Sequence, residues 1–179
     1  MNVFKKTERE GSFGFCHNCP SNKNCCTRMK TNSSIDNAIV FNEEIDEIER
    51  YSGVKREDFL QLGRYPEDGP YQTLNHNGNS GCYFFKNGRC EIYLVRPLDC
   101  RFFPFDIIED DHGTLRWIVY TELCPVNFDY RESFEKLKAF FDLPRELSLA
   151  YSRGNAPGME ANRYEVLEPV YPASGSTGR

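Results

Sequence analysis

The sequence predicts an α+β fold in which small antiparallel β-hairpins are flanked by short helices, with a cysteine-rich metal-binding core. Three observations predict it. Apolar residues recur at helical spacing near residues 43–62 and 130–151, and β-branched and aromatic runs flank tight-turn sequences between residues 82 and 120. The eight cysteines fall in two blocks, Cys16, Cys19, Cys25 and Cys26, then Cys82, Cys90, Cys100 and Cys124.

Taken in order, residues 14–34 are rich in Cys, Asn, Ser and Lys with no periodic apolar pattern, so this loop cannot order itself by burial and needs a ligand. A strand is expected at Ala38-Ile39-Val40-Phe41. Asn42 then serves as N-cap of a helix with Glu43 and Glu44 in its first turn, Ile45, Ile48 and Tyr51 as its apolar stripe, and Gly53 as its stop. Glu43, Glu44, Asp46, Glu47 and Glu49 read as a solvated face. A second helix is expected over Arg56–Leu62, and Pro66, Gly69 and Pro70 mark a turn-rich connection.

Asn87-Gly88 fits a type I′ turn, whose two central residues need positive φ, and so predicts a hairpin carrying Cys82 on one strand and Cys90 on the other. Arg96-Pro97 opens a short turn or helical segment. A second hairpin pairs Phe105–Ile108 with Leu115–Tyr120 around Asp110-Asp111-His112-Gly113. Asp129 with Glu132 caps a helix striped by Phe134, Leu137, Phe140 and Phe141, ending before Pro144. Residues 1–153 are expected to form a single domain, and residues 154–179, with Pro157, Pro169, Pro172 and a Ser-Gly-Ser-Thr-Gly-Arg end, a flexible C-terminal tail.

Composition narrows the function. With 179 residues, fourteen phenylalanines and ten tyrosines, the chain fills a core without cysteine staples. A net charge of -5 with scattered Lys and Arg lacks the basic stripe of a nucleic-acid binder. No stretch approaches the ~20 apolar residues of a membrane span, and the N-terminus lacks a secretory apolar segment, so the expected location is cytoplasmic. Disulfides do not persist in a reducing compartment, whereas clustered thiolates there suit a metal.

Cys16-x2-Cys19 is a simple chelating unit. The adjacent Cys25 and Cys26 point to opposite faces if extended, which suits two ligand sets or a polynuclear centre better than one mononuclear site. Eight thiols match two four-cysteine centres without assigning them. The spacing is neither that of bacterial ferredoxins nor C-x-x-C-H haem attachment.

C-x2-C-x5-C-C, followed by Cys82-x-Phe84, Gly88-x-Cys90-x-Ile92-Tyr93, Arg96-Pro97-x-x-Cys100-Arg101-x-Phe103-Pro104 and Cys124-Pro125, resembles the YkgJ-type cysteine-cluster family of zinc- or iron-chelating proteins, over about residues 16–125. The resemblance implies a metal or iron–sulfur cluster held by the cysteines in a small, mainly prokaryotic, cytoplasmic protein, and it implies no settled reaction. A related arrangement occurs in flagellin lysine N-methylases, but this chain has no further region suited to S-adenosylmethionine, so that activity is not carried over.

Arg96 and Arg101 flank Cys100 and can supply cationic donors to an anionic thiolate centre; the competing reading pairs them with Asp99, Glu91 or other carboxylates. His17 lies between two cysteines and is the best imidazole candidate, ahead of His76 and His112. Phe84, Phe85, Tyr93, Phe102, Phe103, Phe105 and Trp117 are placed to exclude water around the second cysteine block or to fill an ordinary core. No nucleophile, phosphate loop or H-E-x-x-H motif assigns an enzyme activity. An iron–sulfur or iron centre for redox or accessory work is favoured by eight thiolates and no committed histidine. The alternatives are a structural zinc module that presents a surface to a protein partner, a metal-handling protein, and an enzyme whose metal keeps an open coordination position.

Overall fold

The computed structural model describes residue 26 and residues 37–61, 69–75, 81–121, 129–141, 143–159 and 164–171. Strand β1 (Ile39–Phe41) is buried on both faces and separates two apolar cores. Successive strand residues point to opposite sides, so Ile39 and Phe41 enter one core while Ala38 and Val40 enter the other. Its partner β2 (Tyr71–Thr73) runs antiparallel, with Val40 opposite Gln72.

The first core is aromatic. Strands β5 (Phe105–Glu109), β6 (Leu115–Tyr120) and β7 (Tyr164–Pro169) form an antiparallel sheet in that order. Phe105 and Ile107 on β5 meet Leu115, Trp117 and Val119 on β6 by simple alternation. Helix α4 (Tyr130–Phe140) adds Phe134 and Leu137, and α5 (Arg145–Met159) adds Tyr151. Trp117 sits edge-on to Phe141 at 4.7 Å and to Phe102 at 5.5 Å, arrangements that favour the ring quadrupoles. As expected, Asp129 caps α4, accepting from the backbone N–H of Arg131 and Glu132.

The second core is built, apart from α1, from shorter pieces. Helix α1 (Asn42–Ser52) contributes Ile45 and Ile48, α2 (Arg56–Phe59) contributes Phe59, and the hairpin of β3 (Phe85–Lys86) and β4 (Arg89–Cys90) leads into a 3-10 turn (Tyr93–Val95). The hairpin turn has the predicted geometry, with φ of 51° at Asn87 and 78° at Gly88. Helix α3 (Leu98–Phe102) stands beside β1 in the wall between the cores: Phe102 enters the aromatic core, and Cys100 packs on the other.

Several expectations are corrected. Phe41 is the N-cap residue of α1 and Asn42 its first helical residue; Glu44 supplies the missing cap by accepting from Phe41 N–H at 3.1 Å. Tyr51 is 49% exposed, so it leaves the apolar stripe. Helix α2 ends at Phe59 because Leu60 turns extended and bridges to Leu74. Helix α4 does end before Pro144, as expected, and the rest of the 130–151 segment belongs to a separate helix, α5. Residues 154–159 complete α5 and residues 164–169 form β7 against β6, which corrects the tail reading for those positions.

Candidate metal centre

Four of the eight cysteines, Cys26, Cys82, Cys90 and Cys100, lie within the described residues; Cys16, Cys19, Cys25 and Cys124, with His17 and His76, lie outside them. All four belong to the second core. Cys82 is buried within it, while Cys26, Cys90 and Cys100 pack against it half-buried. They come from separate parts of the chain. Cys26 represents the N-terminal block, Cys82 and Cys90 bracket the hairpin, and Cys100 rides on α3 in the wall.

The N-terminal block is joined to the second directly: Cys82 N–H donates to the Cys26 carbonyl at 2.8 Å. The hairpin geometry departs from expectation. Cys90 stands opposite Phe85, not Cys82, and the chain turns between them, with Phe85 N–H donating to the Cys82 carbonyl at 3.0 Å. The two cysteines therefore share a core without forming a cross-strand pair. Among the described residues, no three Cys, His, Asp or Glu side chains form a metal-ligating group, so a complete metal core is not visible in this part of the chain.

Helix α3 is fixed by two carboxylates. Glu44, expected on a solvated face, is 5% exposed and accepts from Leu98 N–H at 2.7 Å and from Arg101 at 3.2 Å as well as from Phe41. Burial pushes its carboxyl up to about 7, against the opposing pull of the Arg101 charge and the backbone donors. Asp99, next to Cys100, accepts from Ile39 N–H at 2.8 Å and from the Tyr151 hydroxyl. Hydrogen bonds to charged groups contribute about 1.5–3 kcal/mol each, so Cys100 sits on a helix held to both β1 and α5.

The two arginines of the same segment are placed differently. Arg101 pairs with Glu44, whereas Asp99 is committed elsewhere and Glu91 pairs with Lys86. Arg96 is 6% exposed, its guanidinium lies 4.0 Å from the Tyr93 ring centroid, and its Nε has no hydrogen-bond partner. The Nε of Arg101 is likewise buried without an acceptor.

The aromatic residues divide between the cores. Phe84 and Phe85 accompany the cysteines, whereas Phe102, Phe105 and Trp117 fill the aromatic core. His112 is exposed in the β5–β6 turn, where Asp110 accepts from its backbone N–H and from Thr114 N–H and pairs with Arg116. Those donors hold the Asp110 carboxyl down at about 2. Glu44 was the residue that sequence reasoning missed. Its signal was the third helical position, from which a glutamate reaches back to cap.

Thiolates are soft donors suited to zinc and iron, and cysteines gathered on an apolar surface with buried guanidinium groups fit either metal. The fold and this convergence define a cysteine-cluster domain. The sequence matches the CxxCxxCC family, described as "Putative zinc- or iron-chelating domain", over residues 15–125, more than half of the chain. The chain belongs to that family, as its resemblance to the YkgJ-type proteins indicated. Its spacing departs from the family's name, since five residues, Pro20 to Asn24, separate Cys19 from the Cys25-Cys26 pair. No curated protein and no solved structure gives a significant match. No helix among the described residues is long and apolar enough to cross a membrane.

Proposed function

We propose that this cysteine-cluster domain holds iron or an iron–sulfur centre for a redox or accessory role in the cytoplasm, with all eight cysteines, Cys16, Cys19, Cys25, Cys26, Cys82, Cys90, Cys100 and Cys124, as its metal ligands. The observation that carries this reading is the convergence of Cys26, Cys82, Cys90 and Cys100 on one apolar core. Bound iron supplies one-electron chemistry; the chain supplies thiolates, excludes water with Phe59, Phe84 and Ile92, and offers buried N–H donors from Arg96 and Arg101. The adjacent Cys25-Cys26 pair favours a polynuclear centre or two ligand sets.

The experiment is anaerobic purification with assay of iron, acid-labile sulfide and zinc, together with a visible spectrum. Iron with sulfide and a broad charge-transfer band supports the proposal. A colourless protein carrying stoichiometric zinc overturns it in favour of a structural zinc module. That second reading is favoured by the two-residue strands β3 and β4, which leave a metal to cross-link the second core. Metal that moves rapidly to a competing chelator without unfolding instead identifies a metal-handling protein.

A further inference from the structure

The two arginines flanking Cys100 do different electrostatic work. Glu44 sits against Arg101 and neutralises it locally, so Arg101 adds little net positive charge to its surroundings. Arg96 has no such neighbour. Among the described residues no carboxylate pairs with it, its Nε–H is buried without an acceptor, and its planar group lies over Tyr93. A guanidinium cannot shed its charge by deprotonation, and burying an uncompensated charge is costly. A chain that folds this way leaves a place for an anion.

The position of Arg96 indicates which anion. Val95 before it and Cys100 after it both pack against the core that collects the cysteines. Several thiolates around a divalent or polynuclear metal carry net negative charge, with sulfur lone pairs that accept N–H donors. We propose that Arg96 is the dedicated counter-ion of the metal–thiolate centre, held in place by its stack on Tyr93, while Arg101 is a positioning residue that, with Glu44, fixes the Cys100 helix. This rests on the metal-centre reading above and assigns separate roles to two residues that sequence treats alike.

The assignment makes opposite predictions for the metal-free and metal-loaded protein, which a purely structural arginine does not. The test compares full-length wild type, Arg96→Gln and Arg96→Lys, each stripped and reduced and then loaded anaerobically with zinc(II) or with ferrous iron and sulfide. Stability of the cysteine-bearing core is followed by hydrogen exchange of residues 82–100, with Trp117 fluorescence reporting the other core, and metal retention by competition with a chelator at one fixed pH. Arg96→Gln is expected to leave the metal-free protein at least as stable as wild type while loosening the bound metal about tenfold, the scale of outer-shell changes. Arg96→Lys, which keeps the charge, is expected to recover part of that loss.

Unchanged retention in Arg96→Gln, or equal loss of metal-free stability and retention in both variants, overturns the counter-ion role while the metal centre stands. Wild type that takes up neither metal overturns the metal-centre reading, and this assignment with it.

Discussion

The two cores of this protein differ in what completes them. The aromatic core has a three-stranded sheet, two helices of 11 and 15 residues, and a closed set of ring contacts around Trp117. The cysteine-bearing core has one 11-residue helix, α1, and otherwise two-residue strands, a four-residue helix and a 3-10 turn, with the four described cysteines in or against it. Nucleating short elements fixes many dihedral angles for few hydrogen bonds, so the second core depends more heavily on tertiary cross-links. One half of the molecule is closed by apolar contact, and the other leaves donor atoms on its rim. β1 and α3 separate them.

Metal removal should break this comparison most visibly. Structural zinc contributes about 10–16 kcal/mol in small modules, so a chelator is expected to strip hydrogen-exchange protection from residues 82–100 while residues 105–120 and 130–140 keep theirs. Uniform loss would mean that the cores unfold as one unit.

The reciprocal perturbation is Phe134→Ala. Phe134 stacks on Phe105 at 5.5 Å and meets Trp117 at 5.9 Å, far along the chain from any described cysteine. Its truncation should cost about 3–5 kcal/mol, measured by denaturant titration of Trp117 fluorescence. The fraction that remains folded should keep its metal.

Asp99→Ala attacks the wall instead. Removing the acceptor shared by Ile39 N–H and Tyr151 should cost about 1.5–3 kcal/mol. Unlike Phe134→Ala, it should lower metal retention along with the Trp117 unfolding midpoint, because Cys100 is the next residue. A change in only one of the two signals would show that the wall does not couple the cores.

The most gradual effect is a pH slope. Burial raises the Glu44 carboxyl from 4.5 to about 7, so between these values the folded state binds more protons than the unfolded state. Its contribution to stability is therefore full below pH 4.5 and is lost as pH rises through about 7. Glu44→Gln should flatten that part of the stability profile, as denaturant midpoints across the range will show. An unchanged slope would assign it to another group.

Local features were legible in the sequence. Asn87-Gly88 required positive φ and adopted it, Asp129 capped its helix, and Phe105–Ile108 with Leu115–Tyr120 paired as a hairpin. The cysteine blocks and the Arg-Pro-x-x-Cys-Arg segment revealed the family. The failures came where local rules are silent. Tyr164–Pro169 has weak strand character of its own, and it is a strand because β6 offers an edge to pair with. Phe102 and Cys100 lie two residues apart yet enter different cores, because a short helix sends such positions to opposite sides.

By itself, then, the sequence determined the Asn87-Gly88 turn, the Asp129 cap, the α+β character and the soft-donor chemistry of eight thiols, since each depends on neighbouring backbone angles or on residue type alone. Only the tertiary structure decided that Glu44 is buried, that it takes Arg101 and leaves Arg96 without a carboxylate among the described residues, and that Cys26 reaches Cys82. Glu44 and Arg101 are 57 positions apart. Burial and ion pairing over that separation are properties of how elements pack, and no periodicity along the chain encodes them.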